Sequence, residues 1–157
     1  MTAQALLDAA KARGLWIAVA ESCTGGLLAG AITAPPGASA IFDRGFVTYT
    51  NAAKVDLLGV RSETLLQHGA VSEEVAAQMA QGALDRSEAD IAVSITGVAG
   101  PGTSGHKPEG RVCFGLATED GVTAETVEFG PLGRDAVRAA SVDHALRLLL
   151  QAVGRAP

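Results

Sequence analysis

The apolar run LWIAVA (Leu15 to Ala20) stops abruptly at ESCTGG (Glu21 to Gly26), which sets an acid, two hydroxyls, a thiol and two glycines on one turn. Ser22 and Cys23 are both candidate nucleophiles. A serine attacks a carbonyl carbon only when a base removes its proton, and it needs donors for the oxyanion that forms. Gly25 and Gly26 keep the turn clear of side chains, so the N–H groups of Cys23, Thr24, Gly25 and Gly26 are candidate donors to such an oxyanion or to a bound phosphate. A lone serine before a helix otherwise reads as a cap.

The base is not a histidine on this reading. His68, His106 and His144 stand apart, in a helix end, a loop and an amphipathic helix, and no spacing of His, Cys, Asp and Glu suggests a metal site. Lys54, in TYTNAAK, is the remaining candidate, because a desolvated lysine can lose its proton near neutral pH. A thiol alternative combines Cys23, Lys54 and Glu21. A third polar turn, TGVAGPG from Thr96, supplies Gly97 and Gly100, whose backbone can approach a ligand closely.

These turns require elements to carry them. Thr2 to Arg13 has helical spacing and ends at Gly14. LWIAVA reads as a strand covered on both faces, and the segment from Thr24 to Thr33 as a helix stopped by Pro35-Pro36-Gly37. GFVTYT (Gly45 to Thr50) is the second expected strand, with Asn51 capping a helix that bears Lys54. Ser62 and Ser72 read as caps of two more helices, the second from Glu73 to Asp85. Asp90 to Thr96 is the third strand. RVCFGLAT and VTAETVEF form a hairpin about Glu119-Asp120-Gly121, and a long helix runs from Arg134 to about Val153. The pattern predicts a three-layer α/β/α sandwich around a mixed sheet of about five strands, in one domain over residues 1–157, with ESCTGG, YTNAAK and TGVAGPG at the carboxyl ends of three strands.

Composition supports a close-packed enzyme-sized core: 157 residues, 48% hydrophobic and 18% charged, with Gly 19. A net charge of -5 offers no basic stripe for nucleic acid. No apolar run reaches the roughly 20 residues of a membrane span, and the amino terminus lacks the pattern of a signal peptide, so a cytoplasmic location is expected. Cys23 and Cys113 are too few for a disulfide scaffold and are expected as thiols.

The blocks AESCTGG, GFVTYTNAAKVDLLGV, GAVSEEVAAQMAQGA and SITGVAGPG…KPEGRVCFGLA resemble the CinA C-terminal domain family, which includes stand-alone nicotinamide mononucleotide deamidases. The resemblance spans nearly the whole chain. It implies hydrolysis of nicotinamide mononucleotide to nicotinate mononucleotide and ammonia, without metal or cofactor, by Ser22 as nucleophile and Lys54 as base. It further implies a relay or positioning role for Tyr49, a substrate-binding position for Thr96, an arginine at the start of the last helix, Arg134 or Arg138, and a homodimer. The loop GPGTSGHKPEG is shorter than is common in that family. A nucleotide-binding or interaction domain without turnover is the alternative.

Overall fold

The computed structural model describes residues 2–157. Its sheet has five strands in the order β2-β1-β3-β4-β5, where β1 is Ile17–Glu21, β2 Phe42–Val47, β3 Ile91–Gly97, β4 Arg111–Thr118 and β5 Gly121–Glu128. β2, β1 and β3 run parallel, with Glu21 opposite Val47 on one side and Ile95 on the other. β4 is antiparallel to β3 and to β5. The expected mixed sheet is thus observed, and β4 is its reversed member.

All five residues of β1 are buried, as an inner strand covered on both faces requires. On one face lie α1 (Thr2–Arg13), α2 (Leu27–Thr33) and α6 (Arg134–Arg155), packing Leu6, Leu28, Ile32, Val137 and Leu149 on Ile17, Val19, Ile95 and Phe114. On the other lie α3 (Asn51–Leu58), α4 (Ser62–His68) and α5 (Glu73–Asp85), where Leu58, Val75 and Met79 cover Ala18, Ala20 and Ala92. A short 3₁₀ turn, Ala38–Ala40, precedes β2.

Two glycines set the spacing of the second layer. A Cβ at Gly115 of β4 would sit 2.2 Å from the Ala76 carbonyl oxygen, so its absence lets α5 lie against the sheet. Ser94 ties the same place, donating to the Ala76 carbonyl at 2.6 Å and accepting from the Gly115 N–H at 3.0 Å. A Cβ at Gly82 of α5 would come 2.0 Å from the Leu58 carbonyl oxygen, so α3 rests its last turn directly on α5.

Several boundaries differ from the sequence reading. β2 is Phe42–Val47 rather than Gly45 to Thr50; it is an edge strand, and its outward Asp43 and Arg44 hide the apolar period. Thr48 to Thr50 leave the sheet instead. Thr50, not Asn51, caps α3, its hydroxyl accepting from the Ala53 N–H at 3.0 Å. Ser62 is the first residue of α4 and not its cap, whereas Ser72 caps α5 through the Val75 N–H at 3.2 Å. In the hairpin, Thr118 pairs with Gly121, and only Gly121 has a positive φ, at 125°. β1 begins two residues later than expected and includes Glu21, and α2 starts only at Leu27.

The chain leaves β1 toward β2 through α2 on one face, then returns past β1 to β3 through α3 to α5 on the other. The carboxyl ends of β1 and β3 therefore flank a topological switch point, where sheets of this kind leave a crevice for ligands.

Candidate active site

Glu21, the last residue of β1, is fully buried, which a carboxylate tolerates only when its oxygens are satisfied. One oxygen accepts from the Thr24 hydroxyl at 2.6 Å and the N–H groups of Gly26 and Leu28 at 3.2 and 3.0 Å. The other accepts from Ala29 at 2.9 Å. The carboxylate thus binds the first-turn donors of α2 and anchors the ESCTGG turn on the strand. Gly25 and Gly26 adopt φ of 57° and 105°, which lets the turn double back over that carboxylate.

Ser22 and Cys23 diverge from this turn. Ser22 Oγ lies 3.1 Å from Lys54 Nζ. Cys23 packs into the apolar layer with Leu28, Ile95 and Val137. Burial pushes its thiol up to about 11, against smaller pulls from its own and the Gly97 N–H groups and from the Arg138 guanidinium. A thiol so placed is neutral at physiological pH and a poor nucleophile. Glu21 is engaged with the backbone rather than with Cys23, so the Cys23–Lys54–Glu21 alternative has no geometric support.

Lys54 is only 1% exposed, among the largest fully buried side chains. Its amine reaches the carbonyls of Thr48 at 2.9 Å and Tyr49 at 3.2 Å besides Ser22. The main chain leaving β2 supplies both carbonyls, and α3 returns the lysine to them. Burial holds the amine below the ordinary lysine range, against a weaker opposing pull from Cys23. Protonated, the amine donates to all three oxygens; once neutral, it keeps two N–H groups for the carbonyls and has a lone pair free for the Ser22 hydroxyl proton.

Of the four turn N–H groups expected to face an anion, two are engaged internally. Gly25 donates to the Ser22 carbonyl at 3.0 Å and Gly26 to Glu21. Among the described residues, the N–H groups of Cys23 and Thr24 meet no protein oxygen. The role of the glycines is conformational, and the donors that remain are those of Cys23 and Thr24.

The other predicted residues fall into two groups. Tyr49 is 57% exposed, and its hydroxyl accepts from Arg134 Nη2 at 3.0 Å, so it touches Lys54 through its carbonyl rather than its phenol. Arg134 also donates from Nη1 to the Gly100 carbonyl at 2.7 Å, bringing Tyr49, Gly100 and the start of α6 together at the mouth. Arg138 instead reaches the carbonyls of Cys23 and Thr24, at 3.1 and 3.4 Å. Thr96 turns away, its buried hydroxyl donating to the Ala70 carbonyl at 2.9 Å. Gly97 has no room for a side chain, since a Cβ would lie 2.7 Å from Val112.

The glycine-rich loop is braced by its own charges. Glu109 accepts from the Gly102 N–H at 2.6 Å, and Lys107 caps the His68 and Val71 carbonyls at 3.2 and 2.7 Å. The Lys107 brace joins residues 39 and 36 apart in sequence, a long-range contact that no local pattern in the loop signals. A cavity of about 520 Å³ lies at the opposite, amino-terminal end of β1 and β3, near Leu15, Asp90 and Arg155, remote from Ser22. Among the described residues, no three of His, Cys, Asp and Glu are grouped to hold a metal ion, and no helix is long and apolar enough to cross a membrane.

Fold and site together define a three-layer α/β protein with a buried serine–lysine pair at the carboxyl edge of its sheet. The chain belongs to the CinA C-terminal domain family, whose sequence model matches residues 1–153. It is 54% identical over 145 residues to the nicotinamide-nucleotide amidohydrolase PncC of Escherichia coli K12, covering 92% of this chain and 88% of that one. The crystal structure of the competence/damage inducible protein CihA from Agrobacterium tumefaciens superposes with a TM-score of 0.93 at 48% identity, over 98% of this chain and 94% of the other. The competence damage-inducible protein A of Klebsiella pneumoniae gives 0.95 at 35% identity, over 99% and 97%.

Proposed function

We propose that this chain is a nicotinamide-nucleotide amidohydrolase that converts nicotinamide mononucleotide and water to nicotinate mononucleotide and ammonia, using Ser22 and Lys54. The reading rests on the 3.1 Å contact between the Ser22 hydroxyl and a buried lysine amine whose two other partners are carbonyls. Neutral Lys54 takes the Ser22 proton as Oγ bonds to the carboxamide carbon, and the Cys23 and Thr24 N–H groups receive the oxyanion. The carbon–nitrogen bond then breaks, and the proton held by Lys54 passes to the departing nitrogen, which leaves as ammonia. An ester on Ser22 remains. Water gives a proton to Lys54 while its oxygen attacks the ester carbon, and the proton returns to Ser22 as the nicotinate product departs.

Arg134 is the group for the substrate phosphate, because a guanidinium offers paired donors to phosphate oxygens and this one stands exposed at the mouth. Tyr49 holds it there through the phenol. The substrate is a small molecule, and the proposal places the enzyme in the cytoplasm as a homodimer of single-domain chains. Incubating purified protein with nicotinamide mononucleotide and measuring ammonia and nicotinate mononucleotide tests the reading. Arg134→Met is expected to raise KM for the nucleotide about tenfold or more while leaving the phosphate-free riboside unaffected. Binding of the nucleotide with no ammonia released would favour a binding module without turnover.

A further inference from the structure

The chemistry above leaves Arg138 without a task, yet its guanidinium is committed to the nucleophile turn. Arg138 lies in the second turn of α6, half-buried, with Nε donating to the Cys23 carbonyl and Nη2 to the Thr24 carbonyl. Among the described residues no carboxylate lies within ion-pair distance of it.

We infer that Arg138 is a positioning residue for oxyanion stabilisation, acting through the peptide unit between Cys23 and Thr24. The C=O and N–H of a trans peptide point in opposite directions. α6 covers the face of the sheet shared with α1 and α2, whereas Lys54 approaches from the face covered by α3 and α5. Drawing the Cys23 carbonyl toward Arg138 therefore directs the Thr24 N–H away from α6, to the side from which Lys54 meets Ser22. The next peptide obeys the same geometry: its carbonyl, that of Thr24, is on Arg138, and its N–H, that of Gly25, points back to the Ser22 carbonyl at 3.0 Å. A charged donor on the Cys23 carbonyl also polarises that peptide, so its N–H becomes the stronger donor. Glu21 secures the far end of the turn through Gly26, Leu28 and Ala29. The two residues hold it from both sides, one by its carbonyls and the other by its N–H groups.

This inference rests on the amide-hydrolysis reading and is tested with steady-state kinetics on nicotinamide mononucleotide, together with inhibition by the planar product, nicotinate mononucleotide. For Arg138→Met, kcat is expected to fall about 10²-fold, the loss typical of a lost oxyanion donor, while KM and product inhibition stay within about threefold. Arg138→Lys keeps the charge with one donor direction and should recover about tenfold of that loss. Added guanidinium ions at millimolar level should raise kcat of Arg138→Ala without changing KM. A folded Arg138→Met with kcat within about threefold of the parent overturns the inference. So does a variant whose kcat, KM and melting temperature all deteriorate together with no gain from lysine or guanidinium, because that is a structural role only. If Arg138→Met does not fold, Arg138→Lys and the guanidinium titration decide by the same criteria. A parent protein that releases no ammonia overturns the hydrolysis reading, and this inference with it; an active parent matched by its variants overturns this inference alone.

Discussion

Replacing Lys54 by methionine removes the amine while keeping a side chain of similar length in the same buried slot. General-base catalysis contributes about 10² to 10⁴ in rate, which at 1.36 kcal/mol per factor of ten is roughly 3 to 5 kcal/mol of barrier. The upper part of that range is expected, because Lys54 is the only side chain bonded to the Ser22 hydroxyl among the described residues and no histidine stands in reserve. Ser22→Ala should lose as much. Since the two act on one proton, the double variant should be no slower than either single variant, a strong departure from additivity. Ammonia release in a coupled assay, with melting temperature measured alongside, provides the numbers. The pH dependence has a definite sign. Burial lowers the Lys54 value below the 10.5 of a free lysine, so kcat/KM should rise with pH through that lowered value and then level off, and the rise should vanish in Lys54→Met. Between the lowered value and 10.5 the unfolded chain carries a proton that the folded chain does not, so stability too should climb with pH across that window. Losses that simply multiply in the double variant would refute the shared proton transfer.

Three other perturbations probe the supports of the site. Glu21→Ala strands three buried or half-buried N–H groups and the Thr24 hydroxyl; at about 1 kcal/mol or more each, urea denaturation should show a loss of roughly 3 to 5 kcal/mol. Cys23→Ala should retain most activity, and the native thiol, pushed up to about 11, should resist iodoacetamide at pH 8 until the protein is unfolded; fast alkylation with loss of turnover would restore the cysteine as nucleophile. Gly82→Ala places a methyl 2.0 Å from the Leu58 carbonyl and must push α3 off α5, so both stability and turnover should fall even though position 82 is remote in sequence from the dyad. Unchanged kcat there would mean that Lys54 is not positioned by the packing of α3.

What could be read from the chain alone was chiefly what local chemistry imposes. The buried run before ESCTGG, the Ser72 cap, the turn at Gly121 and the helical period of residues 134–153 all express preferences that act over a few residues. The breaks between strand and polar turn were enough to place Ser22, Lys54 and the glycine-rich loop at one edge of a mixed sheet. The choice between neighbours needed three dimensions. Ser22 and Cys23 are adjacent, and only the pleat of the chain leaving β1 sends one to a buried amine and the other into the apolar layer. Thr96 read as a ligand group until its hydroxyl was seen on Ala70, and Arg134 and Arg138, a single turn apart on α6, reach different carbonyls. The lowered proton affinity of Lys54 is likewise invisible in TYTNAAK. It arises from the desolvation produced by packing α3 on α5, a long-range contact whose energetic effect no local pattern encodes.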